Sequence, residues 1–359
     1  MIIYFLVFVV ICIGFCYPRN PYVKLIIIFI LCTLVFCRDK TVGTDVISYS
    51  ANFKKITDNP GTWNFYLPFE PGFNYYILYF KKYVSTNPLD CWGVIGILYV
   101  FAFTKFSNIY TKNKNIALAL FVLFGTFYLS FNIMRQCFAF TIILYILSGF
   151  NLYRLNIKSI ILVSIYIVVC GILFHPTMYI CLCLLLYYIP QIQNRMTRIN
   201  IILLLVVSFI CFITQIIIPI LIGFLEQILI EGKLINYATK NIQSGVDSGF
   251  SSAKALLITL FQIYITYISK ETKNVFLYMS TLGVLFLNIF VPLVLEFARV
   301  YELFVVFQII YLSQLWSSIT PHTIKGKIYR LSLVAYSFTL YFNILIKNYG
   351  EIVPYQFRF

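Results

Sequence analysis

The chain has 359 residues, 61% of them hydrophobic and 11% charged, with a mean hydropathy of +0.89. That composition excludes a water-soluble globular domain, whose surface needs far more charge. The net charge of +15, from 27 Lys and Arg against 12 Asp and Glu, would point to nucleic acid in a soluble protein; here it is better read as topology.

Apolar runs of about 17 to 25 residues recur along the sequence, each able to cross a bilayer as a helix with its backbone bonds satisfied internally. Barrel strands would alternate polar with apolar residues, and these runs do not. The expected fold is all-α, a polytopic integral membrane protein forming one transmembrane domain over residues 1–359. Twelve spans are expected, at about 1–17, 22–37, 91–107, 115–131, 136–150, 158–174, 177–190, 199–222, 254–270, 275–295, 299–317 and 329–347. The first lacks the basic leader and small-residue cleavage site of a signal peptide and reads as a helix.

Fourteen Lys and Arg fall in the odd-numbered loops beside a single acid, Glu271, whereas the even-numbered loops and the tail mix thirteen basic residues with almost all the acids. The positive-inside rule then makes the odd loops cytoplasmic and both termini external. Two long loops, 38–90 and 223–253, are expected on the outer face, the second holding an interfacial amphipathic segment, GFLEQILIEGKLINYATKN. Most of the ten cysteines lie within spans; Cys37 and Cys91 flank the first long loop, although neither spacing nor count demands a pairing.

Charges at outer helix ends are costly in this setting and therefore informative. In RDKTVGTDVISYSANF, Gly43 permits a turn and Asp45 follows, as a helix cap or as a functional carboxylate. Glu70 stands between Phe69 and Pro71 in an aromatic stretch that suits a sugar face and equally suits a membrane interface. In FNIMRQCFAF, Arg135 and Gln136 occupy a short outer connection, where a guanidinium is either an interfacial anchor or a phosphate ligand. His175, before Pro176, is a structural histidine, a donor to substrate or a proton acceptor. Glu296, Arg299 and Glu302 have helical spacing, so they either lock helices together or position the arginine for an anion. With two histidines in the chain, a multi-histidine metal site is excluded, and no cofactor motif is present.

These segments resemble the EpsG-like family of Wzy-type bacterial polysaccharide polymerases. The resemblance rests on Arg38, Val42, Gly43, Thr44, Asp45, Tyr49 and Phe53 in the early outer segment, on EPGF after it, on MRQxxA at 134–139, on FHPT at 174–177, and on the late R-x-Y at Arg299. Cys137 and Phe138 stand where the family pattern suggests smaller residues. The resemblance implies a multi-pass protein of the bacterial inner membrane, with its active site facing outward. It would join repeat units linked to undecaprenyl pyrophosphate into O-antigen, capsule or exopolysaccharide, without a cofactor. Donor and acceptor glycolipids would be its partners, with a chain-length regulator and a flippase as further expected ones. Arg135 and Arg299, then Arg38 and Arg358, would hold the pyrophosphate; Asp45, Glu70 and His175, in that order, would serve the acceptor hydroxyl; Gln136, Tyr49 and Glu296 would support them. A lipid-linked oligosaccharide flippase needs ionisable residues along a mid-membrane cavity, which this pattern does not favour. An O-antigen ligase is mechanistically close.

Overall fold

A computed structural model of the chain describes residues 2–56, 68–215, 252–292 and 297–358. It is all-α among the described residues, and polar caps fix where its apolar helices begin. Helix α1 (Ile2–Cys16) is followed by α2 (Pro21–Phe36), whose first amides, of Tyr22 and Val23, donate to the Asn20 side chain. Pro21 takes the first helical position, where a missing N–H costs nothing.

The segment 38–90, expected as a loop, contains two helices, α3 (Val46–Lys55) and α4 (Pro71–Tyr83). Each ends in a lysine pair, placing positive charge at the negative end of the helix dipole. Helix α5 (Pro88–Tyr110) starts at the Asn87 cap. The span expected over 115–131 is broken: α6 (Lys114–Leu123) gives way at Gly125 to a 3-10 turn, Thr126–Tyr128, and to α7 (Leu129–Asn132), with a bend of 65°. Gly125 has φ +86°, a value that favours glycine and ends α6. Next come α8 (Met134–Leu147) and α9 (Ile157–Leu173). Where 177–190 was expected to span stand a 3-10 helix, Pro176–Leu182, and the short α10 (Cys183–Leu186) and α11 (Pro190–Arg195). The remaining helices are α12 (Arg198–Thr214), α13 (Ser252–Ile268), α14 (Val275–Phe290), α15 (Phe297–Ser318) and α16 (Ile324–Ile346). The interfacial segment expected within 223–253 lies outside the described residues.

Among the described residues, α5, α15 and α16 are long and apolar enough to cross a bilayer, the bent α6–α7 pair makes a fourth, and eight helices are apolar but shorter. Large aliphatic side chains point outward from several of them, including Ile161, Ile165 and Ile172 on α9 and Leu203, Ile210 and Ile213 on α12. A helix that is apolar on its outer as well as its inner face is stable in lipid, which marks a membrane protein.

The chain divides into two compact units, Met1–Leu182 with Leu312–Phe359, and Cys183–Tyr311. In the first, α5 packs on both α2 and α8. Gly93 and Gly96 make the α2 contact possible: a β-carbon on Gly96 would lie 2.7 Å from Val35 Cβ, and one on Gly93 2.8 Å from Phe36 Cδ2. Close backbone approach at small residues is a main source of helix association in lipid. Gly96→Leu should therefore overpack this contact and cost about 2–3 kcal/mol. A fall in the thermal unfolding midpoint of the detergent-solubilised protein checks it.

Connections of this unit meet at its two ends. At one, Asn115 Nδ2 donates to the carbonyls of Tyr17 (2.6 Å) and Asn20 (2.9 Å), Asn113 Nδ2 to that of Ser313 (2.8 Å), and Tyr110 Oη to that of Leu147 (3.0 Å). At the other, residues 350–358 return along residues 37–44. Asp39 N donates to Gln356 O (2.9 Å), Gly43 N to Glu351 O (3.1 Å) and Arg358 N to Cys37 O (3.0 Å). Cys37 and Cys91 are both free thiols.

The second unit is held by uncharged polar side chains buried between helices. Gln262 on α13 accepts from Ser280 (2.7 Å) on α14 and from Gln308 (3.1 Å) on α15. Asn288 on α14 donates to Ser208 on α12 (3.0 Å) and to Thr259 (3.1 Å) on α13. With partners supplied on neighbouring helices, these groups act as interhelical fasteners.

Candidate functional site

The end of the first unit that carries the C-terminal segment also gathers most of the chemistry-bearing residues. Its geometry begins at Gly43, whose φ of +110° is one that side chains rarely adopt, and where a β-carbon would collide with the Phe131 carbonyl. The turn this allows places the Thr44 amide and hydroxyl on Asn132 Oδ1, at 2.8 and 3.1 Å. The start of α3 is thereby pinned to the residues just ahead of α8. Asp45 occupies the N-cap position of α3, yet its carboxylate makes no capping bond, so the helix-cap role does not account for it. Tyr49 is one turn further along, on the same face of α3.

Arg135, in the first turn of α8, is the centre of the arrangement. Its Nη1 donates to both oxygens of Glu70, at 2.8 and 3.0 Å, and its Nε to Tyr49 Oη, at 3.2 Å. Glu70 is the N-cap of α4, but its carboxylate leaves the helix amides and turns to the guanidinium. Phe69 lies 5.0 Å beneath the guanidinium carbon. Among the described residues Nη2 has no hydrogen-bond partner, and the side chain is 26% exposed. A rigidly held guanidinium thus presents one open edge.

Aromatic packing builds the wall behind it. Phe73 and Trp92 are fully buried and stacked, with planes 9° apart, and Trp92 Nε1 donates to Ser50 (3.1 Å). Tyr49 stacks on Phe69, and Phe138 packs on Phe73, Tyr76 and Phe174. Much of the aromatic stretch is therefore core for the site rather than membrane-interface surface; Phe65 and Tyr66 lie outside the described residues.

FHPT arrives through the same packing. A β-carbon on Gly72 would lie 2.8 Å from the Leu173 carbonyl, so EPGF and the residues before His175 touch backbone to backbone. His175 Nδ1 receives the Thr177 amide (3.3 Å) and faces the Thr177 hydroxyl (2.7 Å). An amide can only donate, so Nδ1 is an acceptor and the ring proton sits on Nε2.

The other expected residues have different settings. Gln136 is buried. Arg358 is paired with Asp90 at 2.6 Å and lies over the Phe36 ring, tying the C-terminal segment to the start of α5. Arg38 is buried at 2% exposure. Arg299 belongs to the second unit, exposed in the first turn of α15. Glu302 keeps Oε2 buried without a partner among the described residues, and Glu296 lies outside them. Asn132, Trp92 and Asp90 were not anticipated; Asn132 directly precedes IMRQ, and Trp92 is one of three tryptophans, which is the only signal either carries.

Apolar helices whose outer faces suit lipid define a multi-pass membrane protein, and one end of its first unit brings together a fixed arginine, a carboxylate and an aromatic wall. A family model described as EpsG family matches residues 22–357, nearly the whole chain, and the protein belongs to that family, which is associated with polysaccharide polymerase activity. No curated protein and no solved structure matches the chain.

Proposed function

We propose that the protein is a glycosyltransferase of the bacterial cytoplasmic membrane that polymerises oligosaccharide units carried on undecaprenyl pyrophosphate, with the Arg135 end of the first unit facing outward. The observation that carries this reading is Arg135 itself, held on two sides by Glu70 and Tyr49 with one edge left open. In the reaction the bond between the donor sugar's anomeric carbon and the pyrophosphate oxygen breaks, and a bond from that carbon to an acceptor hydroxyl oxygen forms. The lipid pyrophosphate leaves with an additional negative charge, which Arg135 stabilises. No general acid is required for such a leaving group.

The hydroxyl proton passes to Asp45, on the α3 face shared with Tyr49. Glu70 has both oxygens committed to Arg135 and acts as its positioner. His175, with its proton on Nε2, donates to a sugar oxygen. The partly exposed rings of Tyr49 and Phe69, backed by the buried Phe73, stack the apolar face of a sugar ring.

The purified protein incubated with one lipid-linked repeat unit tests this directly. A ladder of products is the expected result. Transfer only to a different acceptor would make it a ligase, and intact starting material with transbilayer movement would make it a transporter.

A further inference from the structure

Arg38 follows α2 directly and is buried with all three guanidinium nitrogens lacking a hydrogen-bond partner among the described residues. Its guanidinium carbon lies 5.0 Å from the centre of the Phe131 ring. The ionisable groups close enough to act on it are Tyr355, Cys137, Arg358 and Tyr4: two phenols and a thiol, neutral at physiological pH, and a second cation. Burial, with Arg358 adding to it, pushes Arg38 down to about 10, which still leaves it charged at neutral pH. A buried, unpaired guanidinium is among the costliest features a fold can retain, and an incoming anion relieves that cost.

Arg38 and Arg135 do not share a side of α8. Arg135 faces the way of Phe138, three residues on, whose ring meets Phe73, Tyr76 and Phe174. Cys137, two residues from Arg135 and so about 200° around the helix, is the thiol that acts on Arg38. The first turn of α8 therefore separates two cationic centres. Over Arg38 runs the strap of residues 350–358, bonded to residues 37–44 through main-chain groups, with Tyr355 Oη on the Leu34 carbonyl (2.6 Å) and Tyr4 Oη on that of Ile352.

We propose that Arg38 anchors a second oxyanion site, distinct from that of Arg135, which takes a phosphate or diphosphate group when the strap of residues 350–358 lifts. Its existence does not depend on the polymerase reading. It rests on that reading only for its role, the seating of the acceptor's lipid diphosphate while Arg135 holds the donor's.

The test is thermal unfolding of the full-length detergent-solubilised protein, with inorganic diphosphate, with a prenyl diphosphate in the micelles, or with chloride at matched ionic strength. A tightly bound diphosphate should raise the midpoint by roughly 4 °C over chloride in the wild type. The rise should persist in Arg135→Gln and vanish in the Arg135→Gln/Arg38→Met double variant. Arg38→Lys, which keeps the charge without the fork, should need at least tenfold more diphosphate for the same shift. Without ligand, Arg38→Met should unfold no lower than wild type, since it removes an uncompensated charge; a marked drop or failure to fold would show that the protein itself meets that charge and would overturn the site. So would a rise already lost in Arg135→Gln, or one kept in the double variant. A response to prenyl diphosphate assigns a lipid headgroup; a response to the inorganic ion alone assigns a free anion and removes the acceptor role without touching the polymerase reading.

Discussion

Arg135→Ala is expected to abolish long-chain polysaccharide, with initial polymerisation reduced about 100- to 1,000-fold, the cost of removing one preorganised charge-stabilising donor. The direction follows from what the guanidinium does in each state. In the resting site Glu70 and Tyr49 fix its orientation, so no reorganisation is needed as charge develops on the departing pyrophosphate. Arg135→Lys should recover little, because a point charge cannot hold Glu70 and Tyr49 while offering an open edge to phosphate. Glu70→Gln keeps an acceptor and should lose less than Arg135→Ala, whereas Glu70→Ala leaves the guanidinium unheld and should approach it. The measurement is the ladder from a defined lipid-linked unit, normalised to protein that elutes as a single species in gel filtration. Normal ladders from Arg135→Ala at normal protein level would end the assignment.

How far this site could be read in advance depends on the length scale of each signal. The all-helical, lipid-facing character follows from composition and pattern together, because of the two backbone arrangements that satisfy their own hydrogen bonds in lipid, helices and closed barrels, a barrel needs an alternation that these apolar runs lack. Placing Asp45, Tyr49, Glu70, Arg135 and His175 on one end required only that charges avoid hydrocarbon. Their pairings were not legible. That Glu70 turns from α4 to Arg135 depends on contacts 65 residues apart, and nothing local in FEPGF distinguishes a capping carboxylate from an ion-pairing one. Helices inside residues 38–90 escaped because α3 and α4 are short and amphipathic, so a window sized for a membrane span passes over them. The break at Gly125 was hidden for the opposite reason: LALFVLFGTFYL stays apolar through the bend, and only the positive φ at the glycine reveals it. Arg38 and Arg358 read as two similar outer-face arginines, yet partnership separates them: among the described residues the Arg38 guanidinium has no hydrogen-bond partner, whereas that of Arg358 is held by Asp90.

Asp45→Asn should leave the fold intact and lower polymerisation by about 100-fold, within the range for loss of a general base. The Asp45 side chain makes no capping bond to its own helix. A carboxylate at an N-cap ordinarily stabilises its helix, and asparagine caps nearly as well, so a purely structural Asp45 would be replaced at no measurable cost. Here α3 is fixed instead by Gly43 and by the Thr44–Asn132 bonds, which the substitution leaves untouched. Asparagine preserves shape and hydrogen bonding while removing the ability to accept a proton, so activity and stability should separate: unchanged thermal midpoint, lost ladder. Gly43→Ala provides the converse control, because strain at a φ of +110° and a clash with the Phe131 carbonyl displace the whole α3 start and should lower both together. If Asp45→Asn polymerised normally, the proton would have to leave by another route, and the order of the three candidate groups would be reversed in favour of Glu70 or His175.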